Sequence, residues 1–139
     1  MSLILIADDR QNWRDLTRHA MRAENYRILE ASNGRECLEM ITAYHPDCII
    51  LDIEMPEKDG FEVLETLFNQ SIKIPVIVYS SAIQEITRLY CLTMGAAAFI
   101  SKPATDLELR NTIKTVLSKY KTTEKHREVN SPPLGVFHR

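Results

Sequence analysis

Several features are scarce or missing in this 139-residue sequence. It contains no run of about 18 apolar residues, which excludes an ordinary transmembrane helix. The N-terminus, MSLILIADDR, has no basic segment ahead of a long apolar one, so we do not expect a signal peptide. The formal net charge is only −2, which gives no overall field favouring nucleic acid. The sequence therefore favours a cytoplasmic protein that contacts neither nucleic acid nor membrane directly.

Cysteine is also sparse. The three cysteines, Cys37, Cys48 and Cys91, are widely spaced and form no C-x-x-C pair, which argues against a zinc site or a disulfide framework. We expect three reduced, buried thiols.

Short apolar blocks alternate with amphipathic segments along most of the chain. The blocks at 3–7, 26–32, 47–53, 75–80 and 97–101 predict strands, and the segments 11–24, 34–44, 60–70, 82–93 and 106–120 predict helices. The block at 26–32 alternates as an edge strand does, whereas 3–7, 49–51 and 76–78 are nearly continuous aliphatic runs, typical of parallel strands covered on both faces. This pattern predicts an α/β domain with a mostly parallel five-stranded sheet.

Capping residues mark four of the predicted helix starts. These residues are Asn33, Asp59, Ser81 and Thr105. Each is followed three positions later by a Glu or Gln, as in a capping box. After the last helix the sequence is polar, contains SPP at 131–133 and has no periodicity. We therefore predict one domain over residues 1–120 and a disordered tail or linker over 121–139.

Polar side chains follow four of the predicted strands at the point where each strand ends. They are Asp8 and Asp9 after the first strand, Asp52 after the third, Ser80 at the end of the fourth and Lys102 after the fifth. Because the carboxyl ends of parallel strands meet at one edge, these groups should share a pocket. Three carboxylates there would raise each other's pKa unless a divalent cation, best Mg²⁺, neutralised them. Asp52 would then be placed to attack a phosphoryl group, with Lys102 and Ser80 stabilising its oxygens.

Each of these residues has a structural explanation when taken alone. Asp9 could cap the first helix, Ser80 could open a turn, and Lys102 could be a solvated charge. Pro103 can adopt a cis bond that orients Lys102, although cis is the minority form. Trp13 would pack in the first helix or report on metal binding. The joint pattern, at the ends of the correct strands, favours a site.

The motifs DD (8–9), LDIEMPEKDG (51–60), PVIVYSS (75–81) and GAAAFISKP (95–103) carry a family resemblance. Over residues 2–120 the sequence resembles a receiver domain of a two-component response regulator. The resemblance implies a flavodoxin-like (βα)5 fold with a doubly wound parallel sheet in the order 2-1-3-4-5. It also implies Mg²⁺ as cofactor, and a sensor histidine kinase or a histidine phosphotransfer protein as the phosphoryl donor.

The resemblance assigns a role to each matching residue. Asp52 would accept the phosphoryl group, and Mg²⁺ would be held by Asp8, Asp9, Asp52 and the backbone carbonyl of Glu54. Ser80 and Lys102 would bind the phosphoryl oxygens, and Phe99 would be the aromatic switch residue. Its movement would change the face of the fourth helix, fifth strand and fifth helix for a downstream protein or output domain. Gly60 and Pro103 would be structural.

Some positions depart from the commonest family pattern. Glu54 is an acid two residues past Asp52, where many relatives have a neutral residue, so the lifetime of the phosphoryl group is in question. Tyr79 and Ser81 also differ from the common residues, but neither removes a required group. The chain could be a stand-alone receiver or part of a longer regulator or hybrid kinase.

Two other functions fit the sequence less well than that of a receiver. A phosphohydrolase with an Asp nucleophile is distantly suggested by D-x-E at 52–54, but haloacid-dehalogenase-like enzymes place the nucleophile on the first strand and a second Asp two residues later. A pseudo-receiver that binds partners without phosphorylation is disfavoured by the complete residue set. We expect self-directed phosphoryl transfer and autodephosphorylation only, and no enzyme acting on a separate substrate.

Overall fold

The computed structural model describes residues 1–82 and 84–129, with side chains described as far as residue 120. Five strands alternate with five helices in this range. In chain order they are β1 (Leu3–Ala7), α1 (Gln11–Ala20), β2 (Arg27–Ala31), α2 (Gly34–Tyr44), β3 (Cys48–Leu51), α3 (Gly60–Asn69), β4 (Val76–Ser80), α4 (Glu85–Thr93), β5 (Ala98–Ser101) and α5 (Asp106–Val129).

The sheet is parallel throughout and has the order β2-β1-β3-β4-β5, which confirms the predicted topology. Each strand face meets its own helices, because successive side chains of a strand point to opposite sides. Leu5, Ile49 and Val78 pack with α2, α3 and α4. Ile4 and Ile77 pack with α1 and α5 on the other side. All residues of β3 and β4 are buried, whereas β2 at the edge is partly exposed, as its alternating sequence predicted.

Three of the four predicted helix caps are confirmed. The side chains of Asn33, Asp59 and Thr105 accept hydrogen bonds from the N–H groups of Glu36, Glu62 and Glu108, at 2.7, 3.0 and 3.0 Å. The prediction for Ser81 is wrong. The helix α4 begins only at Glu85, with Gln84 at the N-cap position and no side-chain capping bond. The S-x-x-Q pattern is present, but Ser81 lies too far before the helix to serve its first turn.

Two helix ends differ from the prediction. The first helix ends at Ala20 rather than residue 24, because Met21 turns into the core, with 2% of its surface exposed, and its N–H bonds to the carbonyl of Arg18. The last helix continues to Val129 rather than ending at residue 120. The rest of the predicted tail, 130–139, lies outside the described residues. The domain boundary at 120 stays a prediction.

The three cysteines are buried and unpaired by any disulfide, as expected. Burial raises the pKa of Cys37 and of Cys48 to about 12, so both thiols are protonated at neutral pH. None of the helices in the described part of the chain has the length and apolar content needed to span a membrane.

Gly60 begins α3 in direct contact with the end of β3. A Cβ atom at this position would lie 2.4 Å from the carbonyl oxygen of Asp52 and 2.7 Å from the Cα of Ile53. The N–H of Gly60 also donates to the carbonyl of Ile53 at 2.7 Å. The glycine is therefore required by the close approach of two backbone segments beside Asp52.

We predict that Gly60→Ala lowers the free energy of unfolding by about 1–3 kcal/mol, because the added methyl group must displace backbone. Urea denaturation followed by circular dichroism measures the change as a lower midpoint. Asn69→Ala, at the exposed end of the same helix, is the matched control and should stay within about 0.5 kcal/mol. Equal midpoints for Gly60→Ala and the wild type would contradict the prediction.

Candidate functional site

The strand register brings the predicted polar residues to one edge of the sheet. Ala7 pairs with Leu51, so Asp8 and Asp52 follow adjacent strands, and the N–H of Asp52 donates to the carbonyl of Ala7 at 2.9 Å. Ser80 pairs with Ser101 in the same way, and the N–H of Lys102 donates to the carbonyl of Ser80 at 2.9 Å. The predicted pocket is therefore present where the sequence placed it.

The three aspartates form a compact acidic cluster. One carboxylate oxygen from each of Asp8, Asp9 and Asp52 lies within 4.8 Å of the others. Asp8 and Asp52 are buried, whereas Asp9 is exposed, so one side of the cluster is open to solvent. Hard oxygen ligands with room for retained waters are the donor set that Mg²⁺ prefers. The residues present therefore fit the predicted cation.

Asp9 does not cap the first helix, so that alternative is wrong. Arg10 occupies the N-cap position of α1 and makes no side-chain capping bond. The N–H of Arg10 instead donates to Oδ1 of Asp8 at 3.0 Å, which fixes one oxygen of that carboxylate. Arg14 holds the same turn from the other side, since its guanidinium donates to the carbonyl of Asp8 at 2.7 Å and pairs with Glu30 at 2.8 Å.

Lys102 places its ammonium group among the carboxylates. Its Nζ atom lies 2.6 Å from Oδ2 of Asp8 and 3.7 Å from Oδ1 of Asp52, and only 4% of the side chain is exposed. The peptide bond between Lys102 and Pro103 is cis. A buried cation beside two buried acids balances charge that would otherwise oppose folding of this edge.

The carboxyl group of Asp52 has a raised pKa. Burial is the largest cause, and the nearby charge of Asp8 adds to it. The ammonium of Lys102, the neighbouring Ser80 hydroxyl and the N–H of Ile53, which donates to Oδ1 at 2.9 Å, act in the opposite direction. The charged form of Asp52 is thus under-solvated in the absence of a divalent cation.

The two predicted switch residues, Ser80 and Phe99, come from β4 and β5. Ser80 is fully buried, and its Oγ accepts a hydrogen bond from the N–H of Ala82 at 3.3 Å. Phe99 is half-buried on β5, beside Val78, and packs against the core on the side of α2, α3 and α4. The two predicted switch residues are therefore on neighbouring strands.

The loop after Asp52 is held against the start of α2. The N–H of Arg35 donates to the carbonyl of Glu57 at 3.0 Å, and the two side chains pair at 3.1 Å. A Cβ atom on Gly34 would lie 2.0 Å from the carbonyl oxygen of Lys58, so the loop packs directly on the helix. Glu57 and Lys58 both have positive φ angles, 47° and 79°.

A cavity of about 330 Å³ opens beside the cluster. It is lined by Asp9, Arg10, Trp13, Asp52, Glu54, Ser81 and Lys102. Glu54 is exposed there, so its carboxylate lies on the solvent side of the pocket. The prediction that its backbone carbonyl binds the cation stays a prediction.

Two aromatic residues complete the surroundings of Lys102. The sequence leaves two interpretations of Trp13 open, packing in the first helix or reporting on metal binding, and it gives Tyr79 no role in the site. Their rings meet edge to face at 6.1 Å, and Nζ of Lys102 lies 4.6 Å from the Trp13 ring centre. The available signal for Trp13 was its place in the first turn of α1, shortly after the acidic pair.

We predict that Asp52→Asn stabilises the metal-free protein at pH 7. Since the folded state holds the Asp52 proton more tightly than the unfolded chain, stability from this group is greatest at low pH and falls as the pH rises through the raised pKa. The advantage of the variant should therefore shrink as the pH is lowered toward the ordinary aspartate pKa of about 3.9.

Urea unfolding in EDTA across this pH range measures the difference. The exposed Asp15→Asn substitution on α1 is the control and should follow the wild type at every pH. A variant that is less stable than the wild type at pH 7, or whose advantage grows on acidification, would refute the prediction.

Comparison with known proteins gives a consistent match. The family model for the response regulator receiver domain matches residues 4–114. The response regulator SaeR of Staphylococcus aureus (strain USA300) is 31% identical over 121 residues, which cover 87% of this chain and 53% of SaeR. The chain thus spans about half the length of the curated relatives it matches.

Solved structures agree with this match. A CheY-like response regulator receiver domain protein from Methanospirillum hungatei JF-1 superposes with a TM-score of 0.82 at 26% identity, covering 88% of this chain and 98% of the other. The receiver domain of Francisella response regulator 1452 gives a TM-score of 0.81 at 25% identity, covering 86% and 98%.

Proposed function

The chain belongs to the response regulator receiver domain family, and we propose that Asp52 is its phosphoacceptor in a two-component phosphorelay. The observation that carries this proposal is the position of the Asp52 carboxylate. It lies in a solvent-connected cavity, 3.7 Å from a buried ammonium and next to two further carboxylates. Burial and the neighbouring Asp8 raise the pKa of Asp52, and carboxyl groups perturbed in this way are typical of functional sites.

The transfer is a displacement at phosphorus. One carboxylate oxygen of Asp52 forms the new bond to phosphorus as the bond to the donor's imidazole nitrogen breaks. The electron pair of the broken bond stays on that nitrogen, and the imidazole takes up a proton. The Lys102 ammonium and the Ser80 hydroxyl donate to the phosphoryl oxygens as negative charge develops on them.

The acidic cluster is proposed to bind Mg²⁺. Asp8, Asp9 and Asp52 would supply carboxylate ligands, together with the backbone carbonyl of Glu54. A bound Mg²⁺ supplies positive charge that offsets repulsion between the acids and the incoming phosphoryl group. The raised pKa of Asp52 supports this assignment, because burial and the charge of Asp8 leave its carboxylate in need of further positive charge.

Receiver domains of this family work between histidine kinases and output domains. The donor proposed for this chain is a sensor histidine kinase or a histidine phosphotransfer protein, and the proposed location is the cytoplasm. We further propose that the chain turns over no separate substrate. Its only reactions would be phosphorylation of Asp52 and hydrolysis of that phosphoryl group by water.

Incubation with acetyl phosphate and Mg²⁺ tests the proposal. Intact mass spectrometry should detect one added phosphoryl group on the wild type, none on Asp52→Ala, and wild-type incorporation on Asp15→Asn. Incorporation should also be lost in EDTA. A phosphoryl group that persists in Asp52→Ala would move the acceptor elsewhere, and continuous release of phosphate without a covalent adduct would favour the phosphohydrolase.

Phosphorylation is proposed to change the face formed by α4, β5 and α5. The phosphoryl oxygens would draw the Ser80 hydroxyl inward, and the half-buried Phe99 would rotate toward the space released. The exposed apolar side chains on the described parts of α4 and α5, available for a partner protein, include Ile86 at 70%, Leu89 at 47% and Leu107 at 59%. Shifting a two-state equilibrium from 1:99 to 99:1 needs about 5.5 kcal/mol. Charge-assisted hydrogen bonds of about 1.5–3 kcal/mol each supply this amount.

We predict that Ser80→Ala separates phosphorylation from switching. The variant should still accept the phosphoryl group on Asp52, because the nucleophile and acidic cluster remain. Hydrogen exchange of α4 and β5 should change on phosphorylation of the wild type, but by less than half as much in Ser80→Ala. Thr93→Ala, an exposed hydroxyl at the end of α4, is the control. Equal exchange changes in Ser80→Ala and the wild type would exclude Ser80 as the trigger.

A further inference from the structure

The Lys102 ammonium lies against two aromatic rings as well as two acids. Its Nζ atom is 4.6 Å from the ring centre of Trp13 and 5.6 Å from that of Tyr79. The rings come from α1 and β4 and stand nearly perpendicular, at 87°. Both distances are within the range of a cation–π attraction, which is strongest when the cation is withdrawn from water, and only 4% of the lysine side chain is exposed.

Both rings are themselves held in place. The hydroxyl of Tyr79 accepts a hydrogen bond from the N–H of Ala104 at 3.1 Å, which connects this ring to the segment that follows Lys102. The first turn of α1 fixes Trp13, because its N–H donates to the carbonyl of Arg10 at 3.1 Å and its carbonyl accepts from the hydroxyl of Thr17 at 2.8 Å. The ammonium therefore has a fixed aromatic support in addition to the acids.

The ionic partners of Lys102 are the groups proposed to bind the cation. The Nζ atom of Lys102 lies 2.6 Å from Oδ2 of Asp8 and 3.7 Å from Oδ1 of Asp52. A divalent cation bound to these oxygens would weaken their attraction for the ammonium. Like charge would then push the ammonium away from the site. An aromatic face attracts a cation without carrying a net charge, so this attraction persists when the carboxylates are neutralised.

We propose that Trp13, supported by Tyr79, is a positioning residue that keeps the Lys102 ammonium directed at the phosphoryl group when the acidic cluster holds its cation. This inference rests on the proposed phosphoacceptor function. Trp13 acts through Lys102 and touches no reacting atom. Its loss should lower the rate of phosphoryl transfer and leave the affinity for Mg²⁺ unchanged.

A double-mutant cycle tests this role. The rate constant for phosphorylation by acetyl phosphate at saturating Mg²⁺ is measured for the wild type, Trp13→Leu, Lys102→Met and the double variant. Trp13→Leu should slow the wild type about tenfold but change Lys102→Met by less than about twofold, because the group through which it acts is gone. The half-saturating Mg²⁺ concentration should change less than about twofold.

Two further variants separate positioning from packing. Trp13→Phe keeps an aromatic face and should recover most of the rate, and Leu16→Ala, exposed on the same helix, should have no effect. If Trp13→Leu slows the wild type and Lys102→Met by the same factor, Trp13 has only a packing role. That result would overturn the proposal. A wild type that takes up no phosphoryl group would instead refute the proposed function.

A second measurement does not depend on phosphorylation. Trp13 is the single tryptophan, so its fluorescence reports on the charge above its ring. The emission of the wild type and of Lys102→Met should differ without metal, and the difference should persist at saturating Mg²⁺. Spectra that converge on addition of Mg²⁺ would show that the ammonium leaves the ring, which also overturns the proposal.

Discussion

The burial of like charges at the carboxyl edge of the sheet is the constraint on which this structure depends. Two aspartates are withdrawn from water at the ends of β1 and β3, and the parallel register sets them side by side. Such an arrangement is unfavourable unless positive charge is close. Lys102 supplies it from the end of β5, and its salt bridge to Asp8, 94 residues earlier in the chain, joins opposite ends of the domain's sequence.

This requirement connects the fold to the chemistry. Only a parallel sheet brings the C-terminal ends of β1, β3, β4 and β5 together, so the three aspartates, the Ser80 hydroxyl and the Lys102 ammonium share one edge. The backbone fixes the positions of Asp52 and Lys102, because their N–H groups donate hydrogen bonds to neighbouring strands at 2.9 Å. Gly60 keeps α3 close behind Asp52, where a side chain would not fit. The acid is therefore held on several sides before any ligand arrives.

Much of this organisation was readable in the sequence. Aliphatic runs and helical periodicity located all ten elements. The polar residues at the ends of four strands indicated the pocket, because β/α alternation fixes which strand ends meet. Boundaries were less accurate where tertiary contacts decide them, as when Met21 leaves α1 for the core. Ser81 matched a capping pattern that the chain does not use. The aromatic support of Lys102 was not assigned, because it depends on side chains from α1 and β4 meeting above a residue from a third element.

The two sides of the pocket are anchored unequally. On the side of the loop that follows Asp52, hydrogen bonds and steric contact join Glu57 and Lys58 to the start of α2. On the opposite side, Ser80 leads to a helix, α4, that begins without a side-chain cap. If phosphorylation displaces backbone on both sides of the pocket, the loop bonded to α2 should move less than the segment that leads to α4. The unequal anchoring would thus direct the conformational change toward α4.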